Sequence, residues 1–330
     1  MRALTEFLKP TQKELFKILR KMYAGKAFVC EGKFILVRGE SPIMLLAHLD
    51  TVHSEPVKVI CKSKDRNILM SPQGIGGDDR CGVYALVKTY AIADKKPWLL
   101  FTCDEEVGGL GANAFCLAHK HSKLPGELGN MKFHVEIDRR GSHDAVYYDC
   151  ENLEFKKYIT SKGFKTSFGS FSDISLVAPE LGTAAVNLSS GYYNAHTQYE
   201  YIVRSELENT IAKVCEMVAD VAKDSFPKYA YVKKVHTAIK WYDWYPNIYR
   251  DKERVYGSNA NLLTRCSDIE DIDEEPVRKK LPSEYEQLYD ELLELYTLEE
   301  LELYREEYGD EILYRLYADE YGTFYAAQER

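Results

Sequence analysis

The chain of 330 residues contains no run approaching the ~18 consecutive apolar residues that a membrane-spanning helix needs, so no membrane partner is expected. Its eight Cys include no C-x-x-C pair and no regular framework, which argues against a disulfide scaffold. They read as reduced, buried thiols, with Cys61 and Cys103 set in apolar strands. The first residues lack an apolar core and a small-residue cleavage site, so no signal peptide is expected and the location is taken as cytoplasmic. No cluster of Lys and Arg with interleaved aromatics is present, which speaks against nucleic acid. There is no G-x-S-x-G elbow for a serine nucleophile. The glycines of residues 108–111 lack dinucleotide spacing, and Glu105 and Glu106 beside them would repel a pyrophosphate.

What charge there is falls unevenly. The formal net charge is −9, yet residues 266–330 alone hold 21 Asp and Glu against 6 Lys and Arg. The acidity therefore belongs to the tail, and the remainder carries a small positive excess. Thr11 and Glu14 have capping-box spacing, which predicts a helix through about Met22. Strands are expected over 27–37, 43–47, 98–102, 133–137 and 184–188, and helices over 81–93, 111–119 and 204–222. Alternation of this kind predicts an α/β fold: a mainly parallel, mixed sheet with helices on both faces, plus an acidic helical appendage at the C-terminus. The expected organisation is a catalytic domain over 1–225, a connector over 226–281 that is first aromatic and then acidic, and a Tyr-rich helical region over 282–330 with helix starts near Ser283 and Thr297.

Five short patches stand out: His48 with Asp50, Asp78 with Asp79, Glu105 with Glu106, Asp138, and His196. Several end or follow a buried-strand pattern, and in an open α/β sheet ligands bind at the carboxyl ends of the strands. Carboxylates are costly near a core unless paired or metal-bound. Two His and three carboxylates form a nitrogen and oxygen donor set suited to zinc and its neighbours, and the pattern points to two metal ions. At strand spacing Asp50 shares a face with His48 and can accept the second imidazole N–H.

The order H-x-D, G-x-D-D-[RK]-x-G, E-E, D, H is similar to that of the co-catalytic di-zinc exopeptidases, which include aminopeptidases, carboxypeptidases, dipeptidases and N-acyl amino-acid deacylases. The resemblance covers roughly residues 20 to 225, and residues 76–82 look most like the tripeptidase and glutamyl-aminopeptidase-like branches. It implies Asp78 as the ligand shared by two divalent ions (zinc, with cobalt and manganese as alternatives). His48 and Asp138 would complete one site, Glu106 and His196 the other, with Glu105 as general base and Asp50 as the catalytic support of His48. His143 competes with His196 for the last position. Cys81 and Cys103 lie close enough in sequence to the proposed ligands to be weighed as soft ligands, against a role as core filler. His53 has no place in the pattern and reads as a surface or loop residue. Asp173 resembles the Asp of a small-residue turn before the last strand, with a capping or loop-supporting role rather than a chemical one.

Only 30 residues separate His48 from Asp78 and 58 separate Asp138 from His196, too few for an inserted lid or dimerisation domain. The reading is a metal-dependent amide hydrolase, an aminopeptidase or small-peptide exopeptidase acting on short peptides. A deacylase of N-acylated amino acids or a carboxypeptidase would use the same centre. The alternative of another class is a non-catalytic metal-binding interaction protein whose acidic helices are the functional part. The sequence leaves the oligomeric state open.

Overall fold

The computed structural model describes residues 3–169, 171–223 and 225–234, and a scattered set between 285 and 316. The chain divides into two units, Met1–Lys234 and Val235–Arg330. In the first, α1 (Thr5–Leu8) leads into α2 (Gln12–Met22). The Thr11 hydroxyl caps α2 by accepting from the Glu14 N–H, and the Glu14 carboxylate accepts the Thr11 N–H in return.

Residues 27–37, read as one strand region, form the antiparallel hairpin of β1 (Ala27–Cys30) and β2 (Phe34–Val37). Strand β3 (Ile43–His48) is followed by the short β4 (Cys61–Lys62) and β5 (Ile68–Met70), then by helix α3 (Gly77–Ile92). Beyond it come β6 (Trp98–Thr102), α4 (Leu110–Lys120), β7 (Phe133–Arg139) and β8 (Asp144–Val146). Helix α5 (Leu153–Ser161), β9 (Lys165–Ser167), α6 (Asp173–Leu181) and β10 (Ala185–Ser189) follow. The unit continues through β11 (Tyr192–Tyr193), β12 (Tyr201–Val203) and α7 (Arg204–Val221).

The main sheet has eight strands in the order β1-β2-β6-β3-β7-β10-β8-β9. Its centre, β6-β3-β7-β10, is parallel, and β2 and β8 flank it antiparallel, so the sheet is mixed. Alternation along each strand assigns the two faces. Ile43, Leu45 and Ala47 of β3 enter a core with Leu15, Leu19, Leu86 and Val214, which come from α2, α3 and α7. Met44 and Leu46 enter a second core with Phe115 and Val177, from α4 and α6. Each fully buried Leu or Phe contributes about 1.5–3 kcal/mol, and both faces of the central strands are covered, as a parallel sheet requires. The second sheet, β11-β12-β5-β4, is small.

Cys30 and Cys61 are exposed, which corrects the expectation of buried thiols; Cys81, Cys103, Cys116 and Cys150 are buried. Among the described residues no helix is long and apolar enough to cross a membrane. In the second unit α8 (Glu286–Leu292) buries Tyr289, whose hydroxyl donates to Glu302, while Arg305 pairs with Glu302 and Asp310. The expected helix starts at Ser283 and Thr297, and residues 235–281 of the connector, lie outside the described residues.

Candidate metal centre

The central strands deliver their ends to one place. The connection from β3 runs to β6 on one side and that from β7 runs to β10 on the other, so the order reverses between β3 and β7, where an open α/β sheet forms its crevice at the carboxyl ends. His48 is the last residue of β3, Glu105 and Glu106 follow β6, and Asp138 sits near the end of β7. Asp78 comes from the start of α3, where Asp78 and Asp79 depart from helical φ and ψ. His196 lies in the loop between β11 and β12 with φ 63°.

Three sets of these side chains bring ligand atoms within 4.8 Å of one another: His48, Asp78 and Asp138; Asp78, Glu106 and His196; and His48, Glu105 and Glu106. The Asp78 carboxylate is divided between two histidines. Its Oδ1 is 3.1 Å from His48 Nε2, and its Oδ2 is 3.3 Å from His196 Nε2. His48 Nε2 is also 3.5 Å from Asp138 Oδ1, and His196 Nε2 is 3.2 Å from Glu106 Oε2. Glu106 Oε1 is buried with no hydrogen-bond partner.

Asp50 braces two elements at once. Its Oδ1 accepts the Glu105 N–H at 3.1 Å and its Oδ2 the Glu106 N–H at 3.0 Å. His48 Nδ1 is 3.3 Å from Asp50 Oδ1, at ion-pair distance but short of hydrogen-bond geometry. Asp79 ties β3 to α3 by accepting the His48 N–H and the Gly82 N–H. A Cβ at Gly82 would stand 2.3 Å from the Ile137 carbonyl oxygen, so only glycine lets α3 approach β7 this closely. Asn187 of β10 holds the Asp138 backbone from both sides, accepting its N–H at 2.9 Å and donating to its carbonyl at 3.0 Å.

The electrostatics record a demand for positive charge. Burial alone would lower the His48 pKa, but Asp138, Asp50 and Asp78 outweigh it and raise it well above the ordinary value. Burial likewise opposes charge on His196, yet Asp78 and Glu106 raise its pKa to about 11. Burial would raise Asp78, but His196 and His48 hold it well below the usual carboxylate range. Burial, then Asp78, pushes Asp138 up to about 7, and burial leads the rise of Glu105 well above its ordinary value. A nitrogen and oxygen donor set of this composition, with an orphaned carboxylate oxygen, fits divalent cations.

Other candidates fall elsewhere. His143 contacts Ser142 and belongs to none of the three sets. Among the described residues no cysteine joins them either; burial raises the Cys81 thiol strongly and the Cys103 thiol to about 12. Asp173 begins α6 rather than a turn, fully buried, and burial raises it to about 6. His53 lies in a loop but is not a surface residue: its side chain is 11 % exposed and pairs with Glu200.

Two buried carboxylates were missed by the sequence reading. Glu136 lies inside β7, where Ser172 Oγ is 2.5 Å from its Oε2 and 3.1 Å from Asp138 Oδ2. Glu200 precedes β12 and is wholly buried. The signal for each was a carboxylate set inside an apolar or aromatic run, Phe133 to Ile137 and Tyr199 to Tyr201.

No protein-family model matches the chain, and no curated protein sequence matches it. Solved structures do. An aminopeptidase PepT from Bacillus cereus is 15% identical, with a TM-score of 0.52 over 67% of this chain and 98% of that one. A TET aminopeptidase from a marine-sediment member of the Thaumarchaeota is 14% identical, with a TM-score of 0.50 over 65% of this chain and 95% of that one. At this identity the likeness is one of fold: the chain has the mixed α/β fold of these aminopeptidases.

Proposed function

We propose that the protein is a metal-dependent hydrolase of amide bonds, an aminopeptidase or small-peptide exopeptidase. The observation that carries this reading is the division of Asp78, one oxygen facing His48 and the other facing His196. A carboxylate with two oxygens is the natural shared ligand of two cations. His48 and Asp138 would hold one divalent ion with Asp78, and Glu106 and His196 the other, with zinc favoured by the imidazole and carboxylate donors. Two such ions, when bound, supply Lewis acidity toward a carbonyl oxygen and make water acidic enough to ionise near neutral pH.

The remaining chemistry belongs to the chain. Glu105 is the general base: its carboxylate takes the proton of the attacking water and returns it to the nitrogen of the leaving amine. Asp50 keeps Glu105 in place through the two backbone N–H groups it accepts, and the same carboxylate orients His48.

The test is metal analysis together with a peptide panel read by mass. Protein purified without chelator and reloaded should saturate at two ions, and chelation should abolish turnover. Peptides with a free amino terminus should be cleaved one residue at a time. Cleavage of amino-blocked peptides or N-acyl amino acids alone would assign the centre to a carboxypeptidase or deacylase. Two bound ions with no turnover of any substrate would favour the interaction-protein reading.

A further inference from the structure

We propose that Glu200, seated by His53, is the positioning residue that sets the angle of Asp78 between the two cation sites; this rests on the reading of Asp78 as their shared ligand. The turn that presents Asp78 begins at Gly76, in the left-handed region with φ 61°. Backbone N–H groups at the start of a helix have no partner within it and need an acceptor from outside. Gly76, at the cap position, has no side chain to supply one. Glu200, more than 120 positions later in the sequence, does so. Its Oε1 accepts the Asp78 N–H at 2.9 Å, and its Oε2 accepts the Gly76 N–H at 2.9 Å.

The third partner comes from the loop after β3. His53 Nε2 lies 2.9 Å from Glu200 Oε2, and His53 itself lines a cavity of about 260 Å³ beside Asp50 and Arg80. Three donors thus meet the two oxygens of one carboxylate, which accounts for a Glu with 0% exposure beside a centre already rich in negative charge. Glu200 belongs to none of the three ligand sets, and its oxygens serve the turn and His53 instead. The turn has little room to shift otherwise, since a Cβ at Gly77 would stand 2.7 Å from Tyr192 Cβ and 3.1 Å from Glu200 Oε1. Through the Asp78 N–H, Glu200 fixes the residue whose two oxygens face His48 and His196. A small rotation of this turn would withdraw one oxygen from its partner.

Glu200→Gln decides the proposal. The amide keeps the shape but offers one acceptor oxygen instead of two, so a backbone N–H is left facing an NH2 group. The full-length protein is stripped of metal, its near-UV circular dichroism is compared with that of the wild type, and Zn²⁺ affinity is read by competition with a chromophoric chelator. A folded Glu200→Gln protein should bind Zn²⁺ about 10–100-fold more weakly than wild type. Unchanged affinity in that folded variant overturns the proposal. If the wild type itself binds no Zn²⁺, the shared-ligand reading fails first and the proposal with it. Should Glu200→Gln not fold, His53 decides. His53→Ala should weaken Zn²⁺ binding on the order of severalfold, and His53→Gln, whose amide can still donate to Glu200, should restore it. Wild-type affinity in His53→Ala, or no recovery in His53→Gln, would then overturn the clamp.

Discussion

Glu105 and Glu106 are neighbours of identical chemistry, and the proposed mechanism gives them separable tasks. Both backbone N–H groups are held by Asp50, at 3.1 and 3.0 Å, so replacing either side chain by the isosteric Gln leaves the turn in place. Glu106 Oε2 faces His196, and the two share a ligand set with Asp78. Glu105 is absent from both sets that contain Asp78. Glu105→Gln therefore removes proton transfer and no coordination. General-base assistance contributes roughly 10²–10⁴-fold, or about 3–5 kcal/mol of barrier. The variant should lose that much in kcat and still bind two ions. Glu106→Gln should lose occupancy at one ion in addition to rate. The assay pairs peptide turnover under metal saturation with elemental analysis of the same samples. His48, Glu105 and Glu106 also form a set, so the reversed outcome is the one the assay must separate. A Glu105→Gln protein that drops to one ion, or that keeps activity within a few-fold of wild type, would refute the division of roles.

Asp50→Asn should lower turnover or metal affinity by about 10–100-fold, because an amide cannot accept both the Glu105 and Glu106 N–H groups while facing His48; steady-state kinetics with chelator competition would show it. His134 is fully buried, both ring nitrogens lack partners, and burial lowers its pKa from 6.5 to about 3. The unfolded chain takes up this proton below about pH 6.5 while the folded chain does not until about pH 3. The stability His134 provides is thus complete above pH 6.5 and falls on acidification, by about 2 kcal/mol at pH 5. Denaturant titrations of the wild type and His134→Leu across that range should show a shallower acid loss in the variant. Every residue of the proposed centre precedes Lys234, so a protein ending there should fold and bind two ions, read by circular dichroism and metal analysis.

The sequence by itself determined the class of the fold. Runs such as 43–47 and 98–102 are apolar at nearly every position, which a strand can tolerate only when both its faces are covered, and the amphipathic segments between them supply the covers. Short-range chemistry was legible for the same reason. The Thr11–Glu14 cap needs only four residues, and the donor types at 48, 78, 105, 106, 138 and 196 could be read off one by one. The strands missed in sequence, β4, β5, β8, β9, β11 and β12, have two or three residues each, too few to display a period; the helices α1, α5 and α6 were missed as well.

Tertiary structure alone decided who faces whom. That Asp78 turns one oxygen to His48 and the other to His196 depends on the crevice beside β3 and on the loop that carries His196. His53 looked like a loop residue without purpose, and Glu200 was not singled out, because neither has a local partner. Their pairing spans 147 positions and closes on a backbone turn whose unmet N–H groups carry no mark in the sequence. A hydrogen-bond requirement of the main chain is the same for every residue, so only the folded path reveals which side chain answers it.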